Sequence, residues 1–227
     1  MKSEEKNLRE KSIQSPQSPI PSPTNPHHVY IINADPSALG LFGLAIVTFA
    51  ASSEKLGFTS GLSLLVPWAI FLGAFAQLFA CIGESQRNNT FGTTAFGAFA
   101  LFWFANASTW LIKMGVFGQV LASAIDDKQL GLVFIGYFLF GIYMTLASTE
   151  MSRILFIILC FVDLLFLGLF LSSFGIQPQI FVPFAGVSEL IIALLSFYAS
   201  AASVLNVTFN RVVLPVGRPF GIFGVKT

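Results

Sequence analysis

The chain has 227 residues, 55% of them apolar and 10% charged, with twelve Lys and Arg against eleven Asp and Glu for a net charge of +1. Soluble domains hold roughly 45–50% apolar and about 25% charged residues, so a water-soluble fold could not cover this much apolar surface. With no basic stripe there is no footprint for a nucleic acid. The composition points to an all-α, multi-pass protein of the cell membrane.

Residues 1–34 stand apart from the rest. They hold Lys2, Glu4, Glu5, Lys6, Arg9, Glu10 and Lys11, then the run Ser15-Pro16-Gln17-Ser18-Pro19-Ile20-Pro21-Ser22-Pro23. Such a segment has too little apolar area to offset its ordering entropy and reads as a disordered cytoplasmic tail. The basic stretch leads into prolines and not into an apolar core with a small-residue cleavage site, so no cleaved leader is expected. His27 and His28 form no metal-binding pattern, and neither a metal nor a cofactor is expected.

A helix needs about 20 residues to cross the ~30 Å hydrocarbon layer. Apolar runs of that length lie at about 36–53, 61–83, 91–112, 130–148, 154–174 and 183–206. Asp35-Pro36 reads as an N-cap followed by proline, Asn89-Thr90 as the cap of the third span, and Pro67 as a kink in the second. Cys81 and Cys160 sit inside apolar runs and behave as small hydrophobes. Ser196 with Ser200, and Ala199 with Ser203, give the last span small-residue contacts. A short C-terminal cytoplasmic tail, 218–227, follows the six-helix body at 35–217.

Nine of the twelve basic residues fall on one side: Lys2, Lys6, Arg9, Lys11, Arg87, Arg153, Arg211, Arg218 and Lys226. Lys55, Lys113 and Lys128 fall on the other. That split predicts both termini in the cytoplasm. Glu84, Glu150 and Arg153 sit at helix ends near headgroups, with Glu150 and Arg153 spaced to pair at i,i+3.

Several strings resemble the acetate uptake transporter family, also called the succinate–acetate/proton symporters or the FUN34/YaaH family. They are Asp35-Pro36-Ser37-Ala38-Leu39-Gly40-Leu41, Gly73-Ala74-Phe75-Ala76-Gln77 with Glu84, Asn89 through Gly97, Phe184-Ala185-Gly186, and Asn206 with Arg211 through Gly217. The resemblance implies a six-helix protein assembling as a homohexamer and moving acetate, and in some members succinate, through a path within each protomer. It also implies a narrow ring from the first, third and fifth spans at Leu44, Phe99 and Val162. The family has phenylalanine, tyrosine and leucine there, so this chain keeps an apolar ring without the tyrosine hydroxyl.

Helix rise gives an independent check on that ring. At ~1.5 Å per residue, Leu44 lies about 13 Å from Asp35, Phe99 about 15 Å from Asn89, and Val162 about 13 Å from Arg153. All three reach the bilayer centre, where a dry constriction can gate by expelling water. The free N–H groups at Asn89–Gly92 face the same mouth and favour carboxylates. Gln77, Asn89, Thr90, Thr93, Thr94 and Asn106 add polar groups along candidate path faces.

Asp163 and Glu189 are the unusual residues inside the spans, since a charged carboxylate there costs at least ~2.5–3.5 kcal/mol. Their heights differ by roughly 6 Å, so the sequence allows a shared proton relay; the competing reading is a packing role for each. The function expected is a transporter or channel for acetate and other short carboxylates, succinate among them, coupled to a proton, with the sequence leaving channel and symport both open. Open alternatives are a pore for ammonia or another small neutral solute, a membrane enzyme, against which stands the lack of a nucleophile–base or zinc string, and a structural scaffold.

Overall fold

The computed structural model describes residues 34–224. The expected tail therefore lies outside the described residues except for Ala34, as do residues 225–227. The helices are α1 (Ser37–Lys55), α2 (Leu65–Gln86), α3 (Thr90–Lys113), a short α4 (Gln119–Ser123), α5 (Asp127–Ser148), α6 (Arg153–Ser173) and α7 (Pro178–Thr208). Among the described residues, all but α4 are long and apolar enough to cross a membrane, which gives six spans.

Local signals set the helix starts. Asn89 caps α3 by accepting from Gly92 N at 3.1 Å, and Ser152 caps α6 by accepting from Leu155 N at 3.4 Å. Asp126 caps α5 through Lys128 N at 3.0 Å. Asp35, the expected cap, accepts from Ser37 N at 3.0 Å and so covers the first turn of α1 from one residue outside the observed cap, Pro36. The last helix starts at Pro178, five residues earlier than expected, because proline suits a first helical position. It then runs through Pro183 for 31 residues.

The expected kink at Pro67 is corrected. Pro67 is the third residue of α2, where its missing N–H would have had no carbonyl partner. The irregularity begins two residues further in, where Ala69–Ala76 is π-helix, a rare wide-turned form frequent at functional sites. Here α1 comes so close that a Cβ on Gly43 would strike the Leu72 carbonyl. Gln77 closes the stretch by donating from Nε2 to the Gly73 carbonyl at 2.8 Å.

The spans form a closed ring: α1 touches α2 and α7, α2 touches α3, α7 touches α6, α6 touches α5, and α5 meets α3 along a thinner seam. The Tyr137 hydroxyl bridges that seam by donating to the Ala98 carbonyl at 3.0 Å. Small residues allow the closest approach, as where Ser200 Oγ donates to the Ala38 carbonyl at 2.8 Å between α7 and α1.

After α7 the chain folds back under the ring. Asn206 holds this strap with three hydrogen bonds, donating to the Leu214 carbonyl at 2.9 Å and accepting from Val213 N and Leu214 N at 2.7 and 3.0 Å. Glu150 accepts from Phe223 N at 3.0 Å and Arg153 lies over the Phe220 ring at 5.4 Å, so these two serve the strap in place of the expected pairing with each other. Asn206→Ala should lower stability by about 1–2 kcal/mol, because two backbone donors lose their acceptor. Thermal unfolding in detergent and faster proteolysis within 209–224 are the measurements.

Candidate functional site

Two cavities lie inside the ring, one at each end. The first, about 440 Å³, opens beside the N-terminal ends of α1, α3 and α6, with Asp35, Glu84, Arg87 and Asn89 at its polar part. Its apolar wall includes Leu44, Phe99 and Val162, which are 9%, 7% and 4% exposed. The second, about 460 Å³, opens between the opposite helix ends and is lined by Lys55, Asn106, Lys113, Asp127 and Glu189, with Phe102, Trp103 and Leu165 on its apolar wall.

Among the described residues, none lines both cavities. Phe99 and Phe102 follow each other by three residues on α3, as do Val162 and Leu165 on α6, a separation of ~4.5 Å along each axis. The two spaces are therefore divided by about one helical turn of apolar side chains. Aromatic contacts stiffen this plug: Phe99 meets Phe140 edge-on at 5.8 Å, and Phe102 meets Tyr137 and Phe166 at 5.0 and 5.4 Å.

At the first mouth, Arg87 pairs with Asp35 at 3.3 Å, an exposed contact. Glu84 is buried, at 4% exposure, and accepts from Asn89 Nδ2 at 2.7 Å. The expected anion cradle at the start of α3 thus already holds a carboxylate, and Gly92, lacking a Cβ, leaves the room for it. Sequence reasoning placed Glu84 among headgroups; its hydrogen-bonding neighbour Asn89, five residues on, was the signal for its burial. Deeper in, Gln77 is fully buried and lines the cavity, and its Oε1 has no donor among the described residues.

The threonines are corrected. Thr90 and Thr94 are exposed, Thr93 bonds the Asn89 carbonyl at 2.8 Å, and none lines a cavity. On α3 the cavity is lined by Phe91, Gly92, Ala95, Phe96 and Phe99, of which 92, 95, 96 and 99 follow the three-and-four spacing of one helix face, and 90, 93 and 94 lie off it. Asn106 lines the second cavity and not the first.

The shared relay of Asp163 and Glu189 is also corrected, because the two have different partners. Asp163 accepts from Thr145 Oγ1 at 2.8 Å across the α5–α6 contact and lines neither cavity. It follows Val162 by one residue, which turns it about 100° away from the plug. Its carboxylate rests against Gly141, where any Cβ would collide with it. Glu189 is 3% exposed, lines the second cavity and pairs with Lys55 at 2.8 Å. Sequence reasoning ended the first span before Lys55 and so missed this pair. The adjacent Glu54-Lys55 at the end of that apolar run was the available signal.

Comparison with known proteins gives this architecture relatives. The model of the GPR1/FUN34/yaaH family matches residues 19–218. The succinate-acetate/proton symporter SatP of Escherichia coli strain K12 is 31% identical over 187 residues, covering 82% of this chain and 96% of that protein. Ammonia transport outward protein 2 of Saccharomyces cerevisiae is 28% identical over 175 residues, covering 75% of this chain and 61% of that one. The solved structure of the bacterial acetate channel SatP superposes with a TM-score of 0.76 at 28% identity, covering 82% of this chain and all of that one. These relatives are transport proteins and a channel, not enzymes, and this chain, a multi-pass membrane protein with six spans, belongs to the GPR1/FUN34/YaaH family.

Proposed function

We propose that this protein carries acetate, and other short carboxylates including succinate, across the cell membrane with a proton, each protomer of a homohexamer holding its own path. The carrying observation is the pair of cavities meeting at one turn of apolar side chains around Leu44, Phe99 and Val162. In this reading 35–217 is the transport body, and the basic-residue split puts both termini and the first cavity on the cytoplasmic side.

The plug decides the species that crosses. A carboxylate entering a dry apolar turn loses its water with no counter-charge, whereas the neutral acid loses far less. Gln77 Oε1 fits that species, since it can accept from a carboxylic O–H but has nothing to offer a carboxylate oxygen. Asn89, by contrast, is engaged with Glu84 and Gly92 and shapes the mouth.

Uptake of labelled acetate into liposomes holding the pure protein, with and without a pH gradient, tests the proposal. Flux that rises with an inside-alkaline gradient is expected. Flux indifferent to the gradient removes proton coupling and leaves a channel. The yeast relative named for ammonia transport, together with a plug lacking the tyrosine hydroxyl, makes ammonia the solute to try if acetate does not move.

A further inference from the structure

The second cavity has a feature that the acetate path through the plug does not use. Lys55 closes α1, Glu189 begins the fourth turn of α7, and their ion pair is part of the cavity wall. The pair is deep: Glu189 is 3% exposed and Lys55 17%. The other pair of this cavity, Lys113 with Asp127 at 2.5 Å, is far more exposed and forms the rim. Gly186 makes the deep pair possible, because a Cβ there would press on the Lys55 stem.

A buried ion pair is weak evidence for stability, since desolvation offsets much of the attraction. Its place on a cavity wall gives it a chemical use. An organic anion entering this space needs a cation, and Lys55 is the deepest one lining it, neutralised by Glu189. One proton on Glu189 changes that balance. The wall then carries an uncompensated ammonium beside a neutral carboxyl that can donate a hydrogen bond, which is a fitting host for a carboxylate.

We infer that Lys55 and Glu189 form a proton-controlled carboxylate-binding site in the second cavity, in which protonated Glu189 releases Lys55 to bind the substrate anion. The inference rests on the proposed carboxylate transport and assigns the residues that join the proton to the substrate. The step balances. The O–H bond of Glu189 breaks, its proton forms an O–H bond on the substrate carboxylate, the neutral acid moves toward the plug, and Glu189 as an anion re-forms its pair with Lys55. The other charged groups around the pair are Glu54 of α1, Lys113 of α3 and Asp127 of α5; α6 lines the cavity with uncharged residues only.

Trp103 and Trp110 line the same cavity and report on it, and Trp68→Phe removes the third tryptophan of the chain. Acetate is titrated against the fluorescence of the full-length protein in detergent from pH 6 to 8, where acetate itself stays ionised, in parallel with liposome uptake. Acetate affinity should weaken by up to about tenfold per pH unit, the limit for one linked proton. Glu189→Gln should bind with little pH dependence and lose gradient-driven accumulation. Lys55→Met should lose at least tenfold in affinity at every pH. A wild-type pH slope in Glu189→Gln, or wild-type affinity in Lys55→Met, overturns the site. If Glu189→Gln does not fold, the swapped pair Lys55→Glu with Glu189→Lys carries the test: it should keep the pH-linked binding, and a folded swap without it overturns the site. Proton-linked binding in a protein that takes up no acetate would defeat the transport reading and leave the site standing.

Discussion

Tryptophan in place of Val162 should abolish labelled acetate uptake while leaving a folded protein. Val162 is 4% exposed and belongs to the single apolar turn between the cavities, facing Leu44 and Phe99 around the first of them. An indole there fills the gap that a two-carbon acid must pass. Overpacking a sealed core costs typically ~1–3 kcal/mol, but this position borders a space of about 440 Å³ into which part of the ring can turn. Each ~1.4 kcal/mol added to a barrier is tenfold in rate, and an occluded turn adds several, so uptake should fall by about 100-fold or more. Val162→Ala is the converse: it widens the turn by two methyl groups and should raise succinate flux relative to acetate. Uptake of both labelled acids, with elution volume and thermal unfolding to monitor folding, measures the two together. Undiminished acetate uptake by a folded Val162→Trp protein would remove this turn from the path.

The reason Val162 and not Asp163 stands at the plug marks the limit of what the sequence tells. Length and apolarity reveal the spans, because crossing ~30 Å needs about 20 residues, and the cap Asn89 fixes the start of α3 to within a residue. Rise per residue is constant, so the sequence reads Leu44, Phe99 and Val162 as level, and all three line one cavity. Azimuth is not legible. A membrane helix is apolar on every side, so no polar stripe says which face looks inward, and Asp163 and Glu189, read as roughly 6 Å apart in height, face α5 and α1 respectively. The same blindness put Thr90, Thr93 and Thr94 on the path. The π-helical Ala69–Ala76 has no signature either, because its residues are as apolar as any α-helical run.

Lys55→Met should destabilise the protein by about 3 kcal/mol, whereas Lys55→Met combined with Glu189→Leu should recover most of that loss. Removing one partner of a buried pair strands the other charge, which costs roughly 3–5 kcal/mol when burial is complete. Lys55 is 17% exposed, so water reaches the site and the lower end applies. Removing both partners leaves no orphan, and apolar replacement of a buried pair is often neutral. Gly186→Ala belongs between them, since a methyl group there pushes on the Lys55 stem and the Leu56 side chain without deleting either charge. Thermal unfolding in detergent orders the three variants. The double variant then separates the two possible uses of the pair. If Lys55 and Glu189 serve only to join α1 to α7, a protein that folds without them should transport acetate with an unchanged response to pH. If they join proton to substrate, the same well-folded protein should have lost that response, because neither the proton acceptor nor the cation it controls is present.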